Sequence, residues 1–313
     1  MTDAGPVAQA MEIQATDTIG CMIVGVHKCG TTSLRDQLAE HPGIATHPQL
    51  ECPFYDPKVE HFEPTGRVLL DRYFADAAPR AMLLAKHATA CCDDVEIERI
   101  AAANPGCRLI LTVRDPVARA RSAYMMETSF GHRQAPFPEL VEQMLDGRVP
   151  ESDWRTRIYL SWGRYDAHLD RLRRSFDPGQ IRVVAVEELR REPRGTIDGI
   201  FEWLGLEHVE IPIIEARNVA SHPRSVRLAG VVHRFLSDNN PLKPLARRVM
   251  GDRAAARAGG SLRSATQVRI EKREELDAET RESLREYFGP SVDRLGEMTG
   301  QDFRAVWGWE GTS

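Results

Sequence analysis

The chain has 313 residues, with 41 Lys and Arg against 46 Asp and Glu, a net charge of −5, 42% hydrophobic and 28% charged residues. That balance is ordinary for a folded enzyme and excludes low-complexity, collagen-like and disulfide-scaffold classes. It also excludes a globally basic coat, so no nucleic-acid partner is expected. The length accommodates one large α/β domain or two smaller ones.

Residues 1–18 carry acidic and polar groups without the basic start and apolar core of a signal peptide, and read as a disordered lead-in. The longest apolar runs, 19–26 and 109–113, fall far short of the roughly 20 residues that span a bilayer, so no membrane span is expected. Six cysteines (Cys21, Cys29, Cys52, Cys91, Cys92, Cys107) form no CxxC pair, which leaves neither a zinc nor a redox motif. Reduced thiols in a cytoplasmic protein are the expectation.

Strand-like and helical patterns alternate along the chain. The apolar run 19–26 enters a glycine-bearing loop and then a helix from Thr31 to Glu40, with Leu34 and Leu38 on one face and a stop before His41-Pro42. A second buried strand spans 108–113. Asp115 then reads as a helix cap with Pro116 at the first helical position, opening a helix to about Glu127. Residues 129–138 are rich in turn formers. A long helix is expected over 152–175, with Trp154, Ile158, Trp162, Tyr165 and Leu169 as core. A third strand covers 181–186, and a helix over 193–204 shows Ile197, Ile200, Phe201 and Leu204 on its apolar face. Residues 217–273 are rich in arginine and read as an insertion or lid, or a solvated face. An amphipathic helix follows over 277–287. The sum is one α/β domain, 19–313, built on a P-loop-like, doubly wound parallel sheet flanked by helices.

The loop after the first strand carries the chemistry. Strand, glycine loop and helix N-terminus present backbone N–H groups and a positive dipole end to an anion. Gly25 and Gly30 have the spacing of the first part of a Walker A loop, but Thr31-Thr32 stands where Lys-Ser/Thr would follow, and the lysine is Lys28, inside the loop. Read alone, two glycines make only a tight turn; the hydroxyls of Thr31, Thr32 and Ser33 favour phosphate. Arg114 ends the 108–113 strand, where open α/β sheets bind ligands, and Ser122 follows two helical turns on. An arginine fork with a hydroxyl suits a second phosphate. Arg119 and Arg121 read as surface or salt-bridging residues.

Together these two segments resemble the nucleotide motifs of sulfotransferases that use 3′-phosphoadenosine 5′-phosphosulfate (PAPS), closest to the glycosaminoglycan (heparan sulfate) type. The segment from Lys28 to Leu34 resembles the 5′-phosphosulfate loop. Arg114-Asp115-Pro116 with Arg119, Ser122 and Tyr124 resembles the 3′-phosphate site. The segment 47–55, Lys86, Gly163-Arg164-Tyr165, Glu187-Glu188-Leu189, 284–288 and 298–303 are similar to that type as well, so the likeness covers most of the chain. There are departures: His27 precedes the lysine, Lys86-His87-Ala88 replaces a Lys-Thr-Pro-like segment, and the Lys-Gly-Arg stretch that closes over the nucleotide is represented only by Arg269 and Lys272.

The resemblance implies in-line transfer of a sulfuryl group from PAPS to a hydroxyl or amine of a sugar-containing or other small-molecule acceptor, leaving adenosine 3′,5′-bisphosphate (PAP), with no metal. Lys28 would stabilise the departing phosphate, and the loop from Cys29 through Gly30, Thr31, Thr32 and Ser33 would cradle the 5′-phosphate. Arg114 and Ser122 would select the 3′-phosphate. Glu51 would be the general base and Lys86 an electrostatic assistant. Glu51 read alone is equally a solvated or capping group, and His27 and His87 read as structural. Two other classes remain open at this stage: a P-loop kinase or NTPase using ATP and magnesium, and a non-catalytic nucleotide-binding module. The acceptor and the oligomeric state have no sequence signal.

Overall fold

A computed structural model describes residues 18–59, 72–78, 81–132, 134–214, 221–223, 267–269 and 276–309. Residues 1–17 of the 1–18 lead-in, most of the arginine-rich 217–273 segment and Lys272 lie outside the described residues.

Five strands form one parallel sheet in the order β2-β3-β1-β4-β5: β1 Ile19–Gly25, β2 Ile44–Thr46, β3 Met82–Lys86, β4 Arg108–Val113 and β5 Ile181–Ala185. Helices cover both faces, and the alternation of side chains along each strand decides which face they serve. Met22, Val24, Leu83, Ala85, Leu109 and Leu111 point into one core. Cys21, Ile23, Leu84, Ile110 and Val184 point into the other. The second core is closed by α1 (Thr31–Leu38) through Leu34 and Leu38, and by Ile197, Ile200 and Phe201 of a helix spanning Pro193–Trp203. Near-continuous apolar strands are what burial on two faces requires.

On the first face lie α2 (Asp94–Ala103), α3 (Pro116–Ser129), α4 (Phe137–Leu145), α5 (Trp154–Tyr159) and α6 (Tyr165–Arg173). The remaining helices among the described residues are α7 (Val186–Arg191), α8 (Pro193–Trp203), α9 (Ala278–Thr299) and α10 (Phe303–Trp307). The Asp115 carboxylate accepts from Val117 and Ala118 N–H groups and starts α3 as its sequence indicates. Apart from the sheet, Ser221–Pro223 and Gln267–Arg269 pair as two short antiparallel strands, which places the backbone of Arg269. Among the described residues no helix is long and apolar enough to cross a membrane.

Three expectations need correction. The single helix over 152–175 is two, α5 and α6, separated by a 3-10 turn at Ser161–Gly163. The break coincides with Arg119, which is fully buried rather than on the surface. Its guanidinium donates to the carbonyls of Ile158 (2.8 Å) and Tyr159 at the end of α5, so those carbonyls are satisfied without further helix. Gly163 is required there, because a Cβ would lie 2.6 Å from the Phe288 ring. Finally, α9 runs to Thr299 rather than stopping near Tyr287. Leu284, Phe288, Val292 and Leu295 keep the apolar stripe going past Pro290, which forfeits one helical hydrogen bond.

Candidate active site

The carboxyl ends of the strands open into a cavity of about 910 Å³. Five loops reach it, and the sheet order fixes their lateral order. Glu51 arrives from beyond β2, Ala88 from beyond β3, the Lys28 loop from β1, Arg114 from β4 and Val186 from β5. His27, Lys28, Gly30, Thr31, Thr32 and Ser33 line it, as do Glu51, Arg114 and Ser122. Residues chosen from segments nearly a hundred positions apart therefore share one space.

The loop has the geometry of an anion cradle. Gly30 precedes α1 in the left-handed region, with φ 75°, and no side chain caps the helix start. The first N–H groups of α1 are thus available to a ligand. Lys28 is also left-handed, at φ 73°, a conformation that costs a non-glycine residue energy and clusters at functional sites. Its ammonium lies 3.5 Å from the Met126 sulfur. Burial, then the nearby Arg114 charge, pushes the Lys28 pKa down. Across the cleft, Arg114 is almost fully buried and its Nε has no hydrogen-bond partner, while Nη1 reaches the Lys28 carbonyl at 3.4 Å. Neither Lys28 nor Arg114 has a carboxylate partner among the described residues, so an anionic ligand would complete both.

Lys86 does not line the cavity. Its side chain is wholly buried, donating to Glu51 Oε1 at 2.6 Å and Thr32 Oγ1 at 3.1 Å. Burial lowers its pKa, against the opposing pull of Glu51. The second Glu51 oxygen accepts from the Ala88 N–H at 3.0 Å. Glu51, one-third exposed, is thereby aimed into the cavity by two donors. Behind this turn His87 Nδ1 meets Glu96 Oε1 at 2.5 Å, and the Glu96 hydrogen bond and charge outweigh burial to raise the histidine pKa.

Other residues depart from their sequence reading. The Cys29 thiol faces the core, 3.5 Å from the Tyr165 hydroxyl, and burial pushes it up to about 11, so only its backbone belongs to the loop. His27 borders the cavity with its edge toward Trp162. Burial, with the charges of Lys28, Arg119 and Lys86, pushes it down to about 3, which keeps it neutral. Arg121, Arg190, Arg281, Arg285 and Trp307 line the cavity too, and sequence reasoning missed or discounted them. For the α3 residue a signal existed: Arg121 adjoins Ser122 and lies one turn from Met125 on the same face.

The cysteine spacing argument also missed a cluster. Cys91, Cys92 and His168 gather their ligand-type atoms within 4.8 Å, as do Asp56, His87 and Glu96. Arg171 Nη1, which can only donate, lies 3.1 Å from His168 Nδ1. The His168 proton is therefore on Nε2, facing the Cys92 sulfur at 4.0 Å. That hydrogen bonding occupies the very atoms a metal would use.

Comparison with known proteins bears on the family and the fold. The family model for the sulfotransferase domain matches residues 19–221. Human heparan sulfate glucosamine 3-O-sulfotransferase 3A1 is 25% identical over 295 residues, which are 93% of this chain and 62% of that protein. A bifunctional heparan sulfate N-deacetylase/N-sulfotransferase 1 from Caenorhabditis briggsae is 27% identical over 194 residues, 59% of this chain and 22% of that protein. The chain thus spans less than two thirds of the length of these curated relatives. A solved sulfotransferase from Alicyclobacillus acidocaldarius shares the fold, with a TM-score of 0.63 and 20% identity over 92% of this chain and 98% of that one. With the family match extending from the first strand through the phosphate loop and the Arg114 segment, this chain belongs to the sulfotransferase domain family.

Proposed function

We propose that the chain is an enzyme that moves a sulfuryl group in line from PAPS to a hydroxyl or amine of a small-molecule or sugar-containing acceptor. The observation that carries this reading is one cavity holding two cations without carboxylate partners among the described residues, Lys28 and Arg114, beside a carboxylate held by Lys86.

In this reading the α1 N–H groups and the Thr31, Thr32 and Ser33 hydroxyls hold the 5′-phosphate, with the backbone of Cys29 and Gly30 shaping the loop. Lys28 stabilises the charge that builds on the departing phosphate. Arg114 and Ser122 hold the 3′-phosphate, and Arg121 and Arg190 add charge nearby. Arg269 and Lys272 are retained as candidates for closing over the nucleotide. Sulfuryl transfer, like phosphoryl transfer, has a loose transition state, so positioning and charge supply most of the rate.

Glu51 accepts the acceptor proton. Lys86, buried behind it, acts through Glu51 and Thr32 and is a positioning residue. Its ammonium links the base to the phosphate loop, so that both move together. The lysine and arginine charges offset the negative charge of the donor without a metal ion. Both carboxylates lining the described cavity are engaged within the protein: Asp115 caps α3 and Glu51 pairs with Lys86. The heparan sulfate relatives support a sugar-containing acceptor at this coarse level, and the six free thiols support a reducing, cytoplasmic setting.

Calorimetric titration with PAP, and separately with ATP plus magnesium, tests the proposal. Metal-independent PAP binding should weaken about 10- to 100-fold in Arg114→Ala, the value of one or two hydrogen bonds to a charged group. Binding of ATP–magnesium with no response to PAP would overturn it in favour of a kinase or NTPase.

A further inference from the structure

We propose that Cys92 is a site of reversible oxidation by hydroperoxides, with Cys91 as its resolving thiol, and that the Cys91–Cys92 bridge so formed weakens donor binding at the adjoining loop. The oxidation site stands on the thiols alone; its effect on the donor rests on the sulfotransferase reading.

The two sulfurs lie 3.8 Å apart in the 3-10 turn Ala90–Cys92 that follows β3. The other cysteines are buried and Cys92 is half-buried, so a small oxidant meets Cys92 first. Its surroundings favour a thiolate. The Cys91 thiol stands on one side of the Cys92 sulfur, and the His168 Nε2–H on another at 4.0 Å. Arg171, one turn along α6 from His168, steadies that ring through Nδ1 at 3.1 Å and the turn through the Cys91 carbonyl at 3.0 Å. Burial raises the Cys92 thiol, but these donors hold it well below its ordinary value, while burial keeps Cys91 well above. One sulfur is thus poised as the nucleophile, and its neighbour keeps a proton beside it. That division of roles distinguishes a redox pair from two structural thiols.

The Cys92 thiolate attacks the terminal oxygen of the hydroperoxide. The O–O bond breaks, and the departing alkoxide or hydroxide takes up the proton that Cys92 had given to solvent. Cys92 is now a sulfenic acid. The Cys91 sulfur attacks it, the S–O bond breaks, and hydroxide leaves with the Cys91 proton as water. Two thiols have then given two electrons to one hydroperoxide, and a thiol reductant returns them by exchange.

The bridge reaches the donor site through the Cys91 sulfur. That sulfur fills the space beside the Gly25 α-carbon, where no Cβ would fit, and Gly25 ends β1 at the start of the Lys28 loop. The Ala88 carbonyl closes the same space, and the Ala88 N–H holds Glu51 at 3.0 Å. Neighbouring Cα atoms lie about 3.8 Å apart, short of the roughly 4.4–6.8 Å of ordinary disulfides. The turn must therefore reshape as the sulfurs join. Drawing the Cys91 sulfur off Gly25 leaves a gap three residues before Lys28, and a close-packed interior transmits such a change to its neighbours.

The experiment treats reduced wild type with a stoichiometric dose of hydrogen peroxide and reads its tryptic peptides by mass spectrometry. PAP is titrated calorimetrically before oxidation, after it, and after dithiothreitol. Trypsin releases both thiols, and no other cysteine, on the 87–99 peptide. That peptide should lose two hydrogen atoms. PAP affinity should fall about tenfold, the value of one hydrogen bond to a charged group, and return with the reductant. Cys92→Ser should keep its PAP affinity under the same dose, and Cys91→Ala should stop at a Cys92 sulfenic acid that dimedone traps. An unchanged 87–99 peptide, oxidation appearing first on another cysteine, or a Cys92 sulfinic acid without a bridge would overturn the oxidation site. A bridge that leaves PAP affinity unchanged, or an equal loss in Cys92→Ser, would overturn its effect on the donor. Failure of reduced wild type to bind PAP would instead remove the sulfuryl-transfer reading, and the peptide mass would still decide the oxidation site.

Discussion

The Lys86–Glu51 pair predicts an asymmetry between its two partners. Lys86 is wholly buried, whereas Glu51 is one-third exposed. Removing Glu51, as in Glu51→Ala, leaves a buried ammonium with Thr32 Oγ1 as its remaining acceptor. Breaking a buried pair from one side costs about 3–5 kcal/mol. The lysine has one escape, losing its proton, and for an ordinary lysine that costs about 5 kcal/mol at pH 7. Burial already lowers the Lys86 pKa, so the escape costs less and caps the penalty. Glu51→Ala should therefore lose about 3–4 kcal/mol of stability.

The opposite change is gentler. In Lys86→Met a thioether of similar length fills the same channel, and Glu51 keeps the Ala88 N–H at 3.0 Å while its exposed side takes up water. The expected cost is about 1 kcal/mol. Both variants should lose sulfuryl transfer, one by losing the base and the other by releasing it. Urea denaturation at pH 7 reads the stabilities, and label transfer reads the activities. Equal destabilisation, or a larger loss in Lys86→Met, would refute the assignment of the buried charge as the expensive partner. A fully active Lys86→Met would refute its positioning role.

Three further outcomes are expected. Gly25→Ala places a Cβ 2.3 Å from the Cys91 sulfur and 3.2 Å from the Ala88 carbonyl at φ 153°, and should cost about 2–5 kcal/mol in urea denaturation. Adding Cys91→Ala should recover only the steric part, and wild-type stability in the single variant would contradict the close approach. Because burial and Arg114 lower the Lys28 pKa below its ordinary 10.5, the free protein sheds that proton as pH rises before an ordinary lysine would; PAP then binds with proton uptake on the alkaline side. Calorimetry in buffers of different ionisation enthalpy measures that uptake, which Lys28→Met should abolish; equal uptake in the variant would assign it elsewhere. Burial pushes the Cys92 thiol up, but the hydrogen bonds to Cys91 and His168 and the charge of Arg171 outweigh it and hold the group well below the ordinary value. Half-buried where the other five cysteines are buried, Cys92 should be the first alkylated by iodoacetamide, and mass spectrometry finding another cysteine ahead of it would refute this.

Local chemistry was readable wherever the chain signals it locally. The β1 run, the Gly25–Gly30 loop and the Asp115-Pro116 start of α3 follow from adjacent residues, and the structure reproduces them. Where the decisive partner is remote, the reading failed. Arg119 reads as a surface arginine on a helix, and only the arrival of α5 carbonyls makes burial of its charge tolerable. The strands β2 and β3 and the helix α2 went unread, the two strands being only three and five residues long, too short for a periodic pattern to show. Lys86 was placed near the acceptor by resemblance. Its burial behind Glu51 depends on the pairing of β3 beside β1, which no local pattern encodes.

The strand order itself accounts for how so few residues can organise a two-substrate reaction. Parallel neighbours lie about 4.8 Å apart, so each step across the sheet moves a loop by roughly one such spacing. From β1 to β4 is one step, and it separates the Lys28 loop from Arg114, whose guanidinium reaches the Lys28 carbonyl at 3.4 Å. That is the scale on which two phosphates sit on one ribose. From β1 in the other direction, β3 and then β2 bring Lys86 and Glu51, so in the proposed reading the base lies on the β2 side of the Lys28 loop and Arg114 on the β4 side. In-line transfer needs this arrangement, with the leaving phosphate on one side of the ammonium and the attacking oxygen on the other. In the proposed reading Lys28 lies between them, and its left-handed backbone, at φ 73°, is the kind of conformation that clusters at functional sites.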